Sequence, residues 1–308
     1  MPSAIILFAI LTIPLLTAVM ISAPVSSTAI ATNALVADLN QTEAAEQAMD
    51  ARQNPIVKIL ANELETKINK SGAILEITSR LPQVKSALFA SSISPELHGI
   101  PRDADMPKRR LAQDILDTDK DFEVIYFLMP NGDMYLVEPY SRQENLTRNN
   151  FAFRDYYRGA LDTGDTYLSD ILISASTGRP QANIAVPMYS ENNGTLLGLL
   201  GGGLNITMLS NSLQSLNLTS NNERVVYVDQ QGQKIADSEN ESSSSIIFNN
   251  NTSSNESFAD LQAFKSAING QSGSTTEVID GTMMLVSYHP VKAFSNVWVV
   301  LFMEPYSG

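Results

Sequence analysis

Two stretches 100 positions apart carry the same β-hairpin pattern, and this repetition constrains the fold more than any other feature of the chain. Val124-Ile-Tyr126 leads into a turn at Asn131-Gly132, and Val225-Val-Tyr227 leads into one at Gln231-Gly232. Apolar runs interrupted by glycine-containing turns are the local signal of an antiparallel hairpin, because glycine reaches the positive φ that tight turns need. The first hairpin reads as Phe122–Met129 returning through Asp133–Val137, with Asn131-Gly132 as a type I′ turn. The second reads as Glu223–Val228 returning through Gln233–Ala236. A third spans Thr275–Ile279 and Thr282–Tyr288 about Asp280-Gly281. Each half also has an apolar strand running into a proline, IAVPMY ending at Tyr189 or LVSYHPV ending at Val291. Each closes on a last apolar strand, LLGLLGGGLNI or VWVVLFMEP. Two copies of one small antiparallel unit are expected.

Ahead of these units the period changes from 2 to 3.6. Between Thr42 and about Ala90, Ile56, Ile59, Leu60 and Leu64, then Ile74, Ile77, Leu81, Val84 and Leu88, fall at helix-face spacing. Pro55, Ser71-Gly72 and Pro82 punctuate the run, so a short helix, a long one and a restart are expected. A loop, ISPELHGIPRDADMP, and a short helix, KRRLAQDILD, lead into the first hairpin. With helix AFKSAI in the second unit the class is α+β. The expected organisation is a stalk over 41–120, a first module over 121–215 and a second over 216–308. The second carries a mobile, solvated Asn/Ser-rich insertion over 237–257.

Ala4 to Ala23 contains no charge, and roughly 20 apolar residues cross ~30 Å of hydrocarbon. Residues 1–24 therefore read as a membrane helix or uncleaved signal, followed by a connector over 25–40. The small residues Ala29 and Ala31 keep the alternative of a secreted, signal-cleaved product open. Sequons at Asn40, Asn69, Asn145, Asn193, Asn205, Asn217, Asn240, Asn250, Asn251 and Asn255 fit a glycosylated extracellular body.

Composition narrows the chemistry. A net charge of −13 disfavours nucleic acid and anionic lipid surfaces, since phosphates need clustered Lys and Arg. With no cysteine there is no disulfide, thiol nucleophile or Cys-held metal, and His98 and His289 are too far apart in sequence to suggest a spaced pair. No cofactor is expected. Gly198 and Gly201–Gly203 lack the Gly-Lys-Ser/Thr of a phosphate loop and read as relief for a closely packed strand. No Gly-x-Ser-x-Gly is present, which leaves a hydrolase unsupported.

The arrangement resembles the double Cache (dCache) family of extracytoplasmic sensor domains over roughly Gln41 to Tyr306. The segment Asn150–Tyr189 is similar to the distal pocket region of that family, and Val297–Ser307 to its closing strand. The resemblance implies a membrane helix, a long helix and two PAS-like modules, membrane-distal then membrane-proximal. It also implies a non-catalytic role in signal transduction or chemotaxis. Implied partners are a small-molecule ligand, the membrane, a second copy through the long helix, and a separate signalling protein where the relay is not in the same polypeptide. A non-catalytic adhesion or scaffold glycoprotein is the alternative.

Members that bind amino acids use an Arg-x-Trp-Tyr motif with downstream acidic residues for the ammonium. Here Arg154-Asp155-Tyr156-Tyr157 stands at the motif and Tyr167 at a downstream pocket tyrosine. Ser169 replaces an Asp, with Asp170 beside it, and Asn205 replaces the Asp of a strand-ending Asp-Ile pair. The resemblance thus implies a ligand site of Arg154, Tyr156, Tyr157, Tyr167, Ser169, Asp170 and Asn205. A guanidinium fork matches a carboxylate, and the missing acids weaken the case for an α-amino acid. Against this, Arg154 has Asp155, Asp162 and Asp165 as surface partners to choose from, and a glycan on Asn205 excludes it from a pocket.

Overall fold

The computed structural model describes residues 54–216, 222–239 and 257–306. The apolar segment Ala4–Ala23, the connector, the start of the stalk and most of the Asn/Ser-rich insertion lie outside these residues. Asp237, the expected first residue of the insertion, belongs to a strand and pairs with Arg224 at 2.6 Å.

Helix α1 spans 54–79, about 39 Å at 1.5 Å per residue. It buries Val57, Leu60, Ala61, Leu64, Ile68 and Leu75 at steps of three, four and seven that make one face. Ile59 and Ile77, expected on that face, are 64% and 65% exposed, and Leu88 is 79% exposed. Ile59 and Ile77 belong to the same apolar periodicity but stand one position off the stripe that meets the sheets, and Leu88 lies in a turn beyond α2. The helix also runs unbroken through Ser71-Gly72, where a break was expected. A Cβ on Gly72 would stand 2.1 Å from Cζ of Phe294, so this glycine is a seat for an aromatic ring. Phe294 holds a positive φ of 58°, an uncommon conformation for a bulky residue that such packing must secure.

After α2 (Pro82–Lys85) and a 3₁₀ turn (Ala90–Ser92), a loop reaches α3 (Met106–Thr118). Arg109 of α3 ties this region together. Its guanidinium donates to Glu138 at 2.7 Å, to Gln143 at 3.2 Å and to the carbonyls of Ala104, Ile100 and Pro101 at 3.1–3.2 Å. It is 4% exposed.

The two sheets share one topology. Strands β1 (Phe122–Leu128), β2 (Met134–Glu138), β3 (Tyr167–Leu168), β6 (Asn183–Tyr189) and β7 (Leu196–Leu204) pair in the order β2-β1-β7-β6-β3. Between them lie α4 (Tyr140–Glu144), α5 (Asp155–Thr163) and the small ribbon of β4 (Leu172–Ile173) and β5 (Pro180–Gln181). Helix α6 (Ile206–Gln214) leads to the second sheet. There β8 (Arg224–Val228), β9 (Lys234–Asp237), β10 (Gly273–Ile279), β11 (Thr282–Ala293) and β12 (Asn296–Pro305) pair in the order β9-β8-β12-β11-β10, with α7 (Gln262–Ile268) before β10. The duplication extends to single hydrogen bonds. Phe151 donates its amide to Gly132 O, and Phe258 donates its amide to Gly232 O, both at 2.8 Å.

The first hairpin turns differently from the expected type I′ geometry: Gly132 alone has positive φ, 85°, and Asn131 does not. Pro130 pre-sets the φ of a type I turn, which Gly132 then closes. The Asp280-Gly281 turn does have both residues at positive φ, 50° and 79°. One face of each sheet meets α1 in a shared core that includes Ile125 and Phe127 of the first and Tyr227 and Phe302 of the second. The opposite face carries α5 in the first sheet and α7 in the second.

Two predictions follow from these contacts. Gly72→Ala in an unencumbered helix adds about 1 kcal/mol; here it should cost about 1–3 kcal/mol through overpacking, and become neutral or stabilising in a Phe294→Ala background. Urea unfolding of the three variants reads the sign. Arg109→Met should cost about 3–5 kcal/mol by leaving Glu138 buried without its partner, and Arg109→Lys should restore little, since three ammonium donors replace a fork that makes six contacts.

Candidate functional site

The open face of the first sheet, under α5, holds a cleft of about 40 Å³. Its position follows from the duplication, because the same register in the second sheet is filled. Tyr126 lies opposite Gly201 and Ile125 opposite Gly202, whereas Val226 lies opposite Leu301 and Val225 opposite Phe302. The three glycines therefore occupy the places of Leu301, Phe302 and Met303. A Cβ on Gly201 would be 2.2 Å from Cζ of Tyr126, and one on Gly203 2.3 Å from Nε2 of Gln181. Absence of those side chains lets Tyr126 and Gln181 lie against the strand. The helices differ in the same way: Arg154 is the N-cap of α5, and Leu261 is the N-cap of α7.

Arg154 lines the cleft, and its Nη2 donates to the carbonyl of Ile173 at 2.8 Å. Its Nε is buried with no hydrogen-bond partner, and it makes no ion pair among the described residues. Tyr156 also lines the cleft, its ring 5.6 Å from that of Tyr126 and tilted by 54°. Burial pushes both hydroxyls up from the ordinary tyrosine range, so both are neutral hydrogen-bonding groups at physiological pH. Gln181 and Asn183 complete the polar lining with Ser174 and Ser176; Val124, Met134, Phe151 and Leu172 are among the apolar walls.

The remaining expected site residues are placed elsewhere. Tyr157, one residue and 100° further round α5, donates its hydroxyl to Pro130 O at 2.6 Å. The Tyr167 ring packs on Gly159 of α5, where a Cβ would approach it to 2.4 Å. Ser169 latches β3 to β6, donating to Asp170 O and accepting the Asn183 amide. Asn205 lies beyond the end of β7, where it accepts the Met208 amide as N-cap of α6 and borders a crevice against Leu64, Ile68 and Ser71 of α1. The strand position that meets the cleft near this end is Gly203, two residues earlier, which has no side chain to offer.

Asp170 belongs to a strap, residues 168–173, gripped from both modules. On the α5 side, Asp155 accepts the Asp170 amide at 2.8 Å and Arg154 holds Ile173. On the other, Asp229 accepts the Ile171 amide at 3.0 Å and the Asn296 side chain donates to Leu168 O. Burial raises the carboxyl pKa of Asp155, Asp170 and Asp229 above the usual range. Backbone amides oppose that rise at Asp155 and Asp229, and the Gln230 and Gln231 side chains oppose it at Asp170. Asp229 is fully buried.

Sequence reading missed Tyr126, Gln181 and Asn183. The sequence repeat sets Tyr126 beside Tyr227, and only the strand register puts it at the place of Val226, over glycines where the second sheet has Leu301 and Met303.

The Cache domain model matches residues 40–308. Among solved structures, the ligand-binding domain of the Pseudomonas fluorescens chemoreceptor CtaA in complex with L-isoleucine superposes with a TM-score of 0.56 at 17% identity, covering 86% of this chain and 95% of that one. The Pseudomonas aeruginosa amino acid chemoreceptor domain of PctB with L-Arg gives 0.58 at 16% identity, covering 84% and 96%. That of PctC with GABA gives 0.56 at 18%, covering 83% and 99%. A search of curated protein sequences finds no match. At these identities the likeness shows the fold. No helix among the described residues is long and apolar enough to cross a membrane. From the match of its family model over residues 40–308, the chain belongs to the Cache domain family, in its double form.

Proposed function

We propose that this chain is an extracytoplasmic sensor, held at the membrane by Ala4–Ala23, whose first module binds a small carboxylate-bearing ligand and whose role is signal transduction and not catalysis. The first module, 121–215, is the membrane-distal one in this reading, and the second, 216–308, the proximal one. The observation that carries it is Arg154: a guanidinium at the wall of a cleft, with a buried Nε that no protein group satisfies. Burying an unpaired donor costs about 1–3 kcal/mol, and a carboxylate that accepts from it removes that cost. The solved chemoreceptor domains with bound amino acids or GABA support a small-molecule ligand. The exposed Ile59 and Ile77, five turns apart on α1, support self-association through the long helix.

In this reading Arg154, Tyr126 and Tyr156 touch the ligand, with Gln181 and Asn183. Of the residues named from the sequence, Tyr157, Tyr167, Ser169 and Asp170 shape the module around the cleft, and Asn205 caps α6 outside it. Ligand occupancy would act through Ile173, which shares Arg154 with the cleft.

Thermal unfolding of the full chain against a panel of small carboxylates and amino acids tests the proposal. A ligand at 100 times its Kd adds about 2.7 kcal/mol of stability, and Arg154→Ala should remove the shift. A shift that survives Arg154→Ala overturns the site. Absence of any shift, together with self-association, favours the adhesion reading. Tyr156→Phe should weaken binding at least threefold, whereas Tyr157→Phe should leave Kd within twofold, because the Tyr157 hydroxyl faces Pro130 and not the cleft.

A further inference from the structure

The charge balance of the cleft selects among carboxylates. Arg154 is the one charged side chain among the described residues that line it, and no carboxylate joins it there. Of the acids near it, Asp170 keeps a buried Oδ1 without a hydrogen-bond partner but is not part of the lining, and two others are held by protein groups. Asp155 accepts the Asp170 amide at 2.8 Å, and Glu123, behind Gln181, pairs with Arg142 at 2.9 Å while accepting from Gln181 at 2.7 Å. The position on β7 that faces Gln181 is Gly203, which carries no side chain.

A monocarboxylate set against Arg154 leaves the cleft neutral. An α-amino acid brings an ammonium as well, and that cation must lie within a few ångströms of the guanidinium with hydroxyl and amide oxygens and the faces of Tyr126, Phe151 and Tyr156, but no carboxylate of the lining, to receive it. Such oxygens accept hydrogen bonds but do not offset the charge, and a desolvated cation without an anion is strongly disfavoured. The apolar wall of Val124, Met134 and Leu172 suits a short hydrocarbon tail.

We infer that the ligand is a short aliphatic monocarboxylate without an ammonium group, and that Asn183 is the residue that sets this preference. The inference rests on the reading of Arg154 as the carboxylate holder. Asn183 is 2% exposed, lines the cleft at the first residue of β6, and its side-chain amide makes no hydrogen bond among the described residues. Its backbone is fixed independently, by the Ser169 hydroxyl and by Ser169 N at 2.8 Å. Asn183→Asp therefore adds an anion to the wall with almost no change of shape.

Calorimetric titration of the full chain with acetate, propionate, butyrate, glycine and alanine at pH 7 tests this. Propionate or another of the acids should bind at least tenfold tighter than the amino acid of equal chain length. Asn183→Asp should narrow that ratio or reverse it, chiefly by strengthening the amino acid, while Arg154→Ala should abolish binding of both classes. If alanine binds wild type as tightly as propionate, the inference falls while the carboxylate reading of Arg154 stands. If Asn183→Asp weakens the acids and gains nothing for glycine or alanine, Asn183 is not the selector and the inference falls in that part. If neither class binds, or binding survives Arg154→Ala, the underlying reading of the site falls first.

Discussion

The structure depends on the burial of one face of α1 against two sheets at once. Val57, Leu60, Leu64, Ile68 and Leu75 share one core with Val225 and Tyr227 of the second sheet and with Ile125 and Phe127 of the first. Fully burying a side chain of this size contributes about 1.5–3 kcal/mol, so this stripe supplies far more than intrinsic helix propensity can over the same length. Because the stripe is continuous, neither module has a complete core without the helix. The opposite faces of the sheets are thereby free to differ, and they do.

That asymmetry separates a pocket from a core. In the second sheet, Val226, Leu301 and Met303 share one apolar cluster with Ala263 and Phe264 of α7. In the first, glycines at the corresponding places let Tyr126 and Gln181 lie on the strand, and Arg154 replaces the apolar cap Leu261. Close packing makes this sensitive to volume, since adding a single side chain to an interior at crystal-like density displaces its neighbours. The polar groups left in the cleft have partial satisfaction at best, and that deficit is what gives a bound molecule something to do.

Much of this was legible in the sequence because hairpins are specified locally. Glycine turns, apolar alternation and the repeat at 100 positions gave the two units and their last strands. The stalk was legible as a helix, but not its break points: Ser71-Gly72 reads as punctuation in one dimension, and only the distant Phe294 shows that the glycine makes room for a ring. The family motif singled out Arg154 and Tyr156, and both line the cleft. Asn205 lies apart from that cleft, because where β7 ends and α6 begins is settled by a capping bond to Met208 that no periodicity announces. Tyr126, Gln181 and Asn183 went unnoticed because each is defined by what faces it across the sheet, and cross-strand register becomes visible only once the strands are paired.

With its two modules offset by 100 positions, the molecule carries its own comparison of an emptied and a filled version of one scaffold. Around the cleft the two differ by an arginine for a leucine at one helix start, a tyrosine for a valine in the first strand, an asparagine for a valine where β6 matches β11, and side chains absent along three successive strand positions. All of these lie away from α1 except the middle glycine, so the open face of one sheet can change while the helix-bound face holds the fold.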